Sequence, residues 1–207
     1  MINEFKAGGT IMYFLLACAV IGLALIIERI ITIFVKMRLN AKVFVADLIK
    51  VIEKNGINEG VKICNQTTSP VAKICKAALE KASGGRTMME DAVIKAATEE
   101  LSFLDRGMGL ISGIITVAPF FGFLGTVTGM ISAFKAVAAV GEVEPTVVAS
   151  GISEALITTK WGLLIAAPLS IIFILIQGRV NSFAKDMETS AATLIDYLSE
   201  KFVCTPK

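Results

Sequence analysis

The longest uncharged stretch of the chain runs from Gly107 to Phe134, twenty-eight residues between Arg106 and Lys135. As a helix it would be about 42 Å long at ~1.5 Å per residue, against a hydrocarbon core of ~30 Å. It reads as a transmembrane helix with residues to spare. A second candidate, Thr10 to Val35, is uncharged up to Ile27 and then meets Glu28 and Arg29. Its span is placed at about 10–28, with the charged pair near the exit surface. The third, Ile152 to Gly178, ends in eighteen uncharged residues, but its first turns carry Glu154 and Lys160. Composition points the same way. The chain is 55% apolar and 18% charged, where a soluble domain averages ~45–50% and ~25%. The first span is read as a retained helix rather than a signal peptide, because it is long, lacks a clear small-residue cleavage site and is followed directly by Glu28-Arg29.

The distribution of Lys and Arg sets the expected orientation. Residues 36–106 hold twelve and residues 179–207 hold four, whereas the first ten residues hold only Lys6. Residues 136–151 hold none, but contain Glu142 and Glu144. Positive segments belong in the cytoplasm, which predicts N-out and C-in. The segments become 1–9 outside, 10–35 as helix one with its cytoplasmic end, 36–106 as a cytoplasmic helical region, 107–134 as helix two, 135–151 as an outer loop, 152–178 as helix three and 179–207 as a cytoplasmic tail. The fold class is an all-α membrane protein, with three transmembrane helices and long helical cytoplasmic extensions.

Several functions are disfavoured. A net charge of +2 makes no case for a nucleic-acid partner. With no His in the chain, a Ser-His-Asp or Cys-His centre and His-bearing zinc sites are excluded. Cys18, Cys64, Cys75 and Cys204 never form a CxxC pair, so reduced, buried thiols are expected. No nucleophile–base pair or metal cluster is visible; neither an enzyme, a cofactor nor a metal site is predicted.

The cytoplasmic parts read as helix. Val45, Leu48, Ile49 and Ile52 repeat at helical spacing and stop at Asn55-Gly56. Ser69-Pro70 should open a second helix, Ser as N-cap and Pro as the first helical residue, with Val71, Ile74, Cys75, Ala78, Leu79 and Ala82 on one face and Ser83-Gly84-Gly85 as the stop. Thr87 with Glu90 suggests a capping box. Behind it Ile94, Ala97, Leu101, Leu104 and Met108 step by three and four, predicting a helix unbroken into span two. In the tail, Val180, Phe183, Met187, Ala191, Leu194, Leu198 and Phe202 continue helix three as an amphipathic stripe. Packing within the chain is the preferred reading of such stripes, ahead of a partner groove.

Some residues in the spans need a reason. Gly125 and Gly129 form a GxxxG pair, with Gly122 nearby, which lets another helix approach closely. Pro119 should bend its helix and free a carbonyl; Pro168 joins the helix-packing positions. Thr126 and Thr128 can each bond a carbonyl of their own helix, or turn a hydroxyl to a wet lumen. Glu154 either lies near the outer surface or faces a bundle interior, because a charge at mid-bilayer costs ~2.5–3.5 kcal/mol. Thr158 and Thr159 follow it at i+4 and i+5, making a polar stripe possible. Lys160 is about 120° from Glu154 around the helix. It can snorkel to the outer surface beside Trp161, or pair with an acid on another chain.

These residues carry a resemblance. GFLGTVTGMISAF followed by GISEALITTKWGLLIAAPLSII resembles the ExbB/TolQ proton-channel family, distantly related to MotA stators, and is closest to ExbB-type members. Glu28-Arg29 is similar to the family's pattern as well. The resemblance implies a stator-ring subunit of a proton-motive-force-driven transducer in the bacterial inner membrane, with the outer segments periplasmic. It implies a homo-pentamer around two copies of a single-span ExbD/TolR-like protein, whose membrane Asp carries the proton, and a TonB/TolA-like protein as the recipient of work. By motif, Thr126, Thr159 and Glu154, with Thr158 alongside, would line the lumen. Lys160 departs from the pattern, since the family usually has a small neutral residue there. The absence of a long N-terminal extension suggests a short-form member and leaves the ExbB and TolQ branches open. The alternatives are a TolQ-like subunit of a Tol-Pal envelope-maintenance motor and a structural membrane scaffold without ion conduction.

Overall fold

The computed structural model describes residues 4–5, 8–36, 39–140 and 145–203; Lys6, Glu142, Glu144, Cys204 and the side chain of Phe202 lie outside the described residues. Seven α-helices are labelled here: α1 (Ile11–Lys36), α2 (Ala41–Asn55), α3 (Ile57–Gln66), α4 (Pro70–Glu80), α5 (Arg86–Asp105), α6 (Met108–Val140) and α7 (Pro145–Leu198). There is no strand among the described residues. α1, α6 and α7 each contain a stretch long and apolar enough to cross a membrane. The chain divides into two compact units, Met1–Arg29 with Gly107–Ile176, and Ile30–Arg106 with Gln177–Lys207.

In the first unit α1 packs on α6 and α7. Met12, Leu15, Ala118 and Ala166 form the buried cluster, flanked by Phe5, Ile11, Cys18, Phe121, Ile157, Trp161 and Ile165. The rings of Phe14 and Phe121 stack at 5.5 Å. Gly22 permits the contact further along, since a Cβ there would lie 2.9 Å from Leu169 and 3.3 Å from Ile114. Glu28 and Arg29 lie inside α1, which continues to Lys36. The Arg29 guanidinium is 4% exposed and donates two bonds of 2.6 Å to the Glu28 carboxylate, a bidentate pairing that offsets the cost of burying a charge. α6 and α7 run on through Pro119 and Pro168. Each proline ring lacks the N–H that would bond four residues back, leaving the Ile115 and Leu164 carbonyls without that partner.

The second unit is a helical cluster in which α2, α3, α4 and α5 pack in sequence order. Val45, Leu48 and Ile52 are buried on α2, which stops at Asn55 where Gly56 takes φ +84°. The expected α4 face is buried throughout, from Val71 to Leu79, with Ala82 in the short 3-10 turn that follows. The stripe from Val180 to Leu198 is also buried, which is packing within the chain. Ion pairs link Arg86 to Asp196 at 2.9 Å and Lys201 to Glu53 at 3.5 Å.

Three local expectations are corrected, and one helix is added. The helix entering span two is not continuous. α5 ends at Asp105, and Gly107 takes φ +83° before α6 begins, a conformation that costs other residues roughly 1–2 kcal/mol. The Thr87–Glu90 capping box does not form, because Gly85 is the residue before the helix and Glu90 bonds Arg86 at 2.7 Å instead. Pro70 does open α4, but the Ser69 hydroxyl makes no capping bond and is buried without a partner. α3 was not foreseen; only Gly60 and Cys64 are buried on it, too few large side chains to show a helical period.

Candidate functional site

The contact between α6 and α7 is a seam of small residues. Ala118, Gly122, Gly125, Gly129 and Ala133 on α6 meet Gly151, Ala155, Thr158, Gly162 and Ala166 on α7. Backbone touches backbone. A Cβ on Gly122 would lie 3.1 Å from the Thr158 carbonyl oxygen, and one on Gly129 would lie 3.0 Å from the Gly151 carbonyl oxygen. A Cβ on Gly125 would overlap the Thr158 hydroxyl. Such closeness replaces hydrophobic driving force within a membrane by dispersion. The GxxxG pair was legible on α6; its counterpart at Gly151, Ala155, Gly162 and Ala166 was not singled out, although it shows the same four-residue spacing of small side chains.

The threonines have their hydroxyl hydrogens engaged. Thr158, 1% exposed, donates to the Ala155 carbonyl at 2.8 Å. Thr159 donates across the seam to the Gly122 carbonyl at 3.1 Å. Thr126 donates to Phe123 at 2.7 Å and Thr128 to Leu124 at 3.0 Å. A hydroxyl whose hydrogen is committed in this way offers only lone pairs, the polarity that suits a proton donor or a cation.

α1 decides which residues share a face. It lies on the flank marked by Phe121, Ile157, Trp161 and Ile165. At ~100° per residue, Thr126 is about 140° round α6 from Phe121, and Thr159 is about 140° round α7 from Glu154. Thr126 and Thr159 therefore stand together on the face turned away from α1. Glu154 stands on the α1 side, where its carboxylate covers Gly9. There it borders an open groove with Ser132, Thr146, Ser150 and Gly151. Thr158 lies in the seam between. The stripe suggested by i+4 and i+5 spacing is thus divided among three directions.

Lys160 pairs with an acid of its own chain. Its Nζ is 2.7 Å from Glu4 and 5.9 Å from the centroid of the Trp161 ring. The hydrogen bond from Lys160 holds the Glu4 carboxyl below its ordinary range. No spacing rule could have found a partner 156 positions away. Among the described residues no cluster of His, Cys, Asp and Glu is arranged to hold a metal ion.

Three long apolar helices, two of them joined by a small-residue seam, define an α-helical membrane protein. The chain belongs to the MotA/TolQ/ExbB proton channel family, whose model matches residues 66–189. A Methanothermobacter thermautotrophicus protein described as a biopolymer transport protein ExbB homolog is 32% identical over 181 residues, covering 87% of this chain and 64% of its own length. A Synechocystis protein described as biopolymer transport protein ExbB-like 3 is 32% identical over 162 residues, 77% of each chain. The Vibrio cholerae biopolymer transport protein exbB1 is 40% identical over 84 residues, 40% of this chain and 37% of that one. The chain therefore spans just under two thirds of the Methanothermobacter relative.

Proposed function

We propose that the chain is a ring subunit of a proton-driven energy transducer of ExbB type, placed N-out and C-in in a bacterial inner membrane. The observation that carries this reading is the pairing of Thr126 and Thr159 on the α6–α7 face opposite α1. In a ring of such subunits that face turns inward and α1 turns to lipid. Each subunit then presents acceptor oxygens, with their hydrogens already committed, to whatever carries a proton along the axis. That carrier is a membrane Asp of an ExbD/TolR-like single-span protein, two copies of which fit within five subunits. A TonB/TolA-like protein receives the work. Glu154 belongs to the end of the unit where α1 begins and serves access rather than the lumen. Thr158, Gly122, Gly125 and Gly129 hold the seam. The scaffold reading draws on the seam alone and leaves the Thr126–Thr159 face without a role.

The test is proton flux through proteoliposomes holding the chain and its single-span partner. Thr126→Val and Thr159→Val are expected to lose most of the flux, while native mass and melting temperature stay at wild-type values. Wild-type flux in both variants would remove the site assignment and favour the scaffold.

A further inference from the structure

Lys160 is the residue that the family pattern does not explain, and its surroundings suggest a use for it. The beginning of the chain is folded on itself and held against α1 and α7. The Gly8 N–H donates to the Glu4 carbonyl at 3.0 Å, closing a turn. Phe5 packs on the buried cluster that Trp161 and Ile165 also flank, and meets the Tyr13 ring edge-on at 5.2 Å. A Cβ on Gly8 would lie 3.4 Å from Ile157. Gly9 takes φ +64°, and any side chain there would strike the Glu154 carboxylate. A left-handed glycine is what lets the backbone lie flat on that acid.

We propose that residues 4–5 and 8–10 are a lid over the Gly9-facing side of the Glu154 carboxylate, the side towards Ser132, Thr146 and Ser150 staying open, and that the ion pair between Glu4 and Lys160 latches it. The lid's consequence for ion access rests on the proposed function, but its existence does not. Phe5 and the indole of Trp161 supply the apolar seat, Gly9 the surface that covers the acid, and Lys160 a charged anchor between this stretch and α7. The lysine stands about 100° round α7 from Thr159 and its charge is paired with Glu4, which eases the conflict between a cation at this position and cation passage.

Labelling of Glu154 in the purified full-length chain tests this, using a water-soluble carbodiimide with an amine probe and peptide mass analysis. Glu154→Gln supplies the blank. Lys160→Met and Glu4→Gln should each speed labelling roughly two- to fivefold, the range expected for loss of a part-exposed ion pair. The direction is decisive. A pure field effect would move the two variants oppositely, because one removes a positive charge and the other a negative one. The exchange Glu4→Lys with Lys160→Glu should return labelling to the wild-type rate. Gly9→Val should raise it with both charges intact. Unchanged rates in the single variants, opposite shifts, or failure of the exchange to restore protection would each overturn the latch. A protected Glu154 in a chain that conducts no protons would keep the lid and overturn the functional reading instead.

Discussion

Gly162→Ala tests whether the α6–α7 seam is a contact of backbones. The added methyl would stand 2.7 Å from the Ala118 carbonyl oxygen and 3.2 Å from the Gly122 Cα. Ordinary separations are ~3.5–4.0 Å, so the helices must part by roughly 1 Å. Both obstructing atoms belong to backbone, and no rotamer change relieves them. Parting the helices loosens the close approaches at Gly122, Gly125 and Gly129 as well. Overpacking of this kind costs about 1–3 kcal/mol. A gain of up to ~1 kcal/mol in helix propensity opposes it, and a control cancels that gain. Gly113 on α6 has nothing within 4 Å of its would-be Cβ, so Gly113→Ala receives the propensity gain alone. The two variants should therefore differ by about 1–3 kcal/mol, with Gly162→Ala the less stable. Reversible unfolding in mixed micelles measures this, in a detergent that holds the chain as single subunits. Stabilities within about 0.5 kcal/mol of each other, the range of uninvolved surface changes, would refute the seam.

Two further outcomes concern the second unit. Ser69→Ala should be neutral or slightly stabilising, because the hydroxyl is buried without a partner. A loss of ~1 kcal/mol in chemical denaturation, the usual cost of a removed N-cap, would show that it caps α4 after all. Burial pushes the Cys64 thiol up to about 11 and the Cys75 thiol up to about 12, from an ordinary 9.0. The folded chain then keeps protons that the unfolded chain releases above pH 9.0. Their contribution is complete below that pH and is lost as pH rises towards 11 and 12. Denaturation midpoints across this range should fall more steeply for wild type than for the Cys64→Ala, Cys75→Ala double variant, and equal slopes would contradict the assignment.

What could be read in advance follows from the range of each interaction. The α4 face and the stripe from Val180 to Leu198 were legible because large apolar side chains recur at helical spacing and are then buried. The α6 glycines were legible because their spacing is local. Gly107 was not, since one glycine after Asp105-Arg106 interrupts no periodicity, and only its φ of +83° shows the break. Lys160 and Glu4 lie 156 positions apart, and their pairing depends on α1 packing beside α7. The candidate site shows the same limit. Thr126, Glu154, Thr158 and Thr159 stood out as polar side chains within apolar spans, whereas their division among three directions required knowing which flank α1 covers.

The central claim is that this chain forms a ring around a single-span partner. Native mass of the purified protein tests it most directly, alone and co-expressed with an Asp-bearing single-span protein. The account predicts a species of five 22.0 kDa chains, about 110 kDa, that gains two copies of the partner. A monomer or dimer whose mass ignores the partner would contradict it, because the Thr126–Thr159 face would then enclose no lumen.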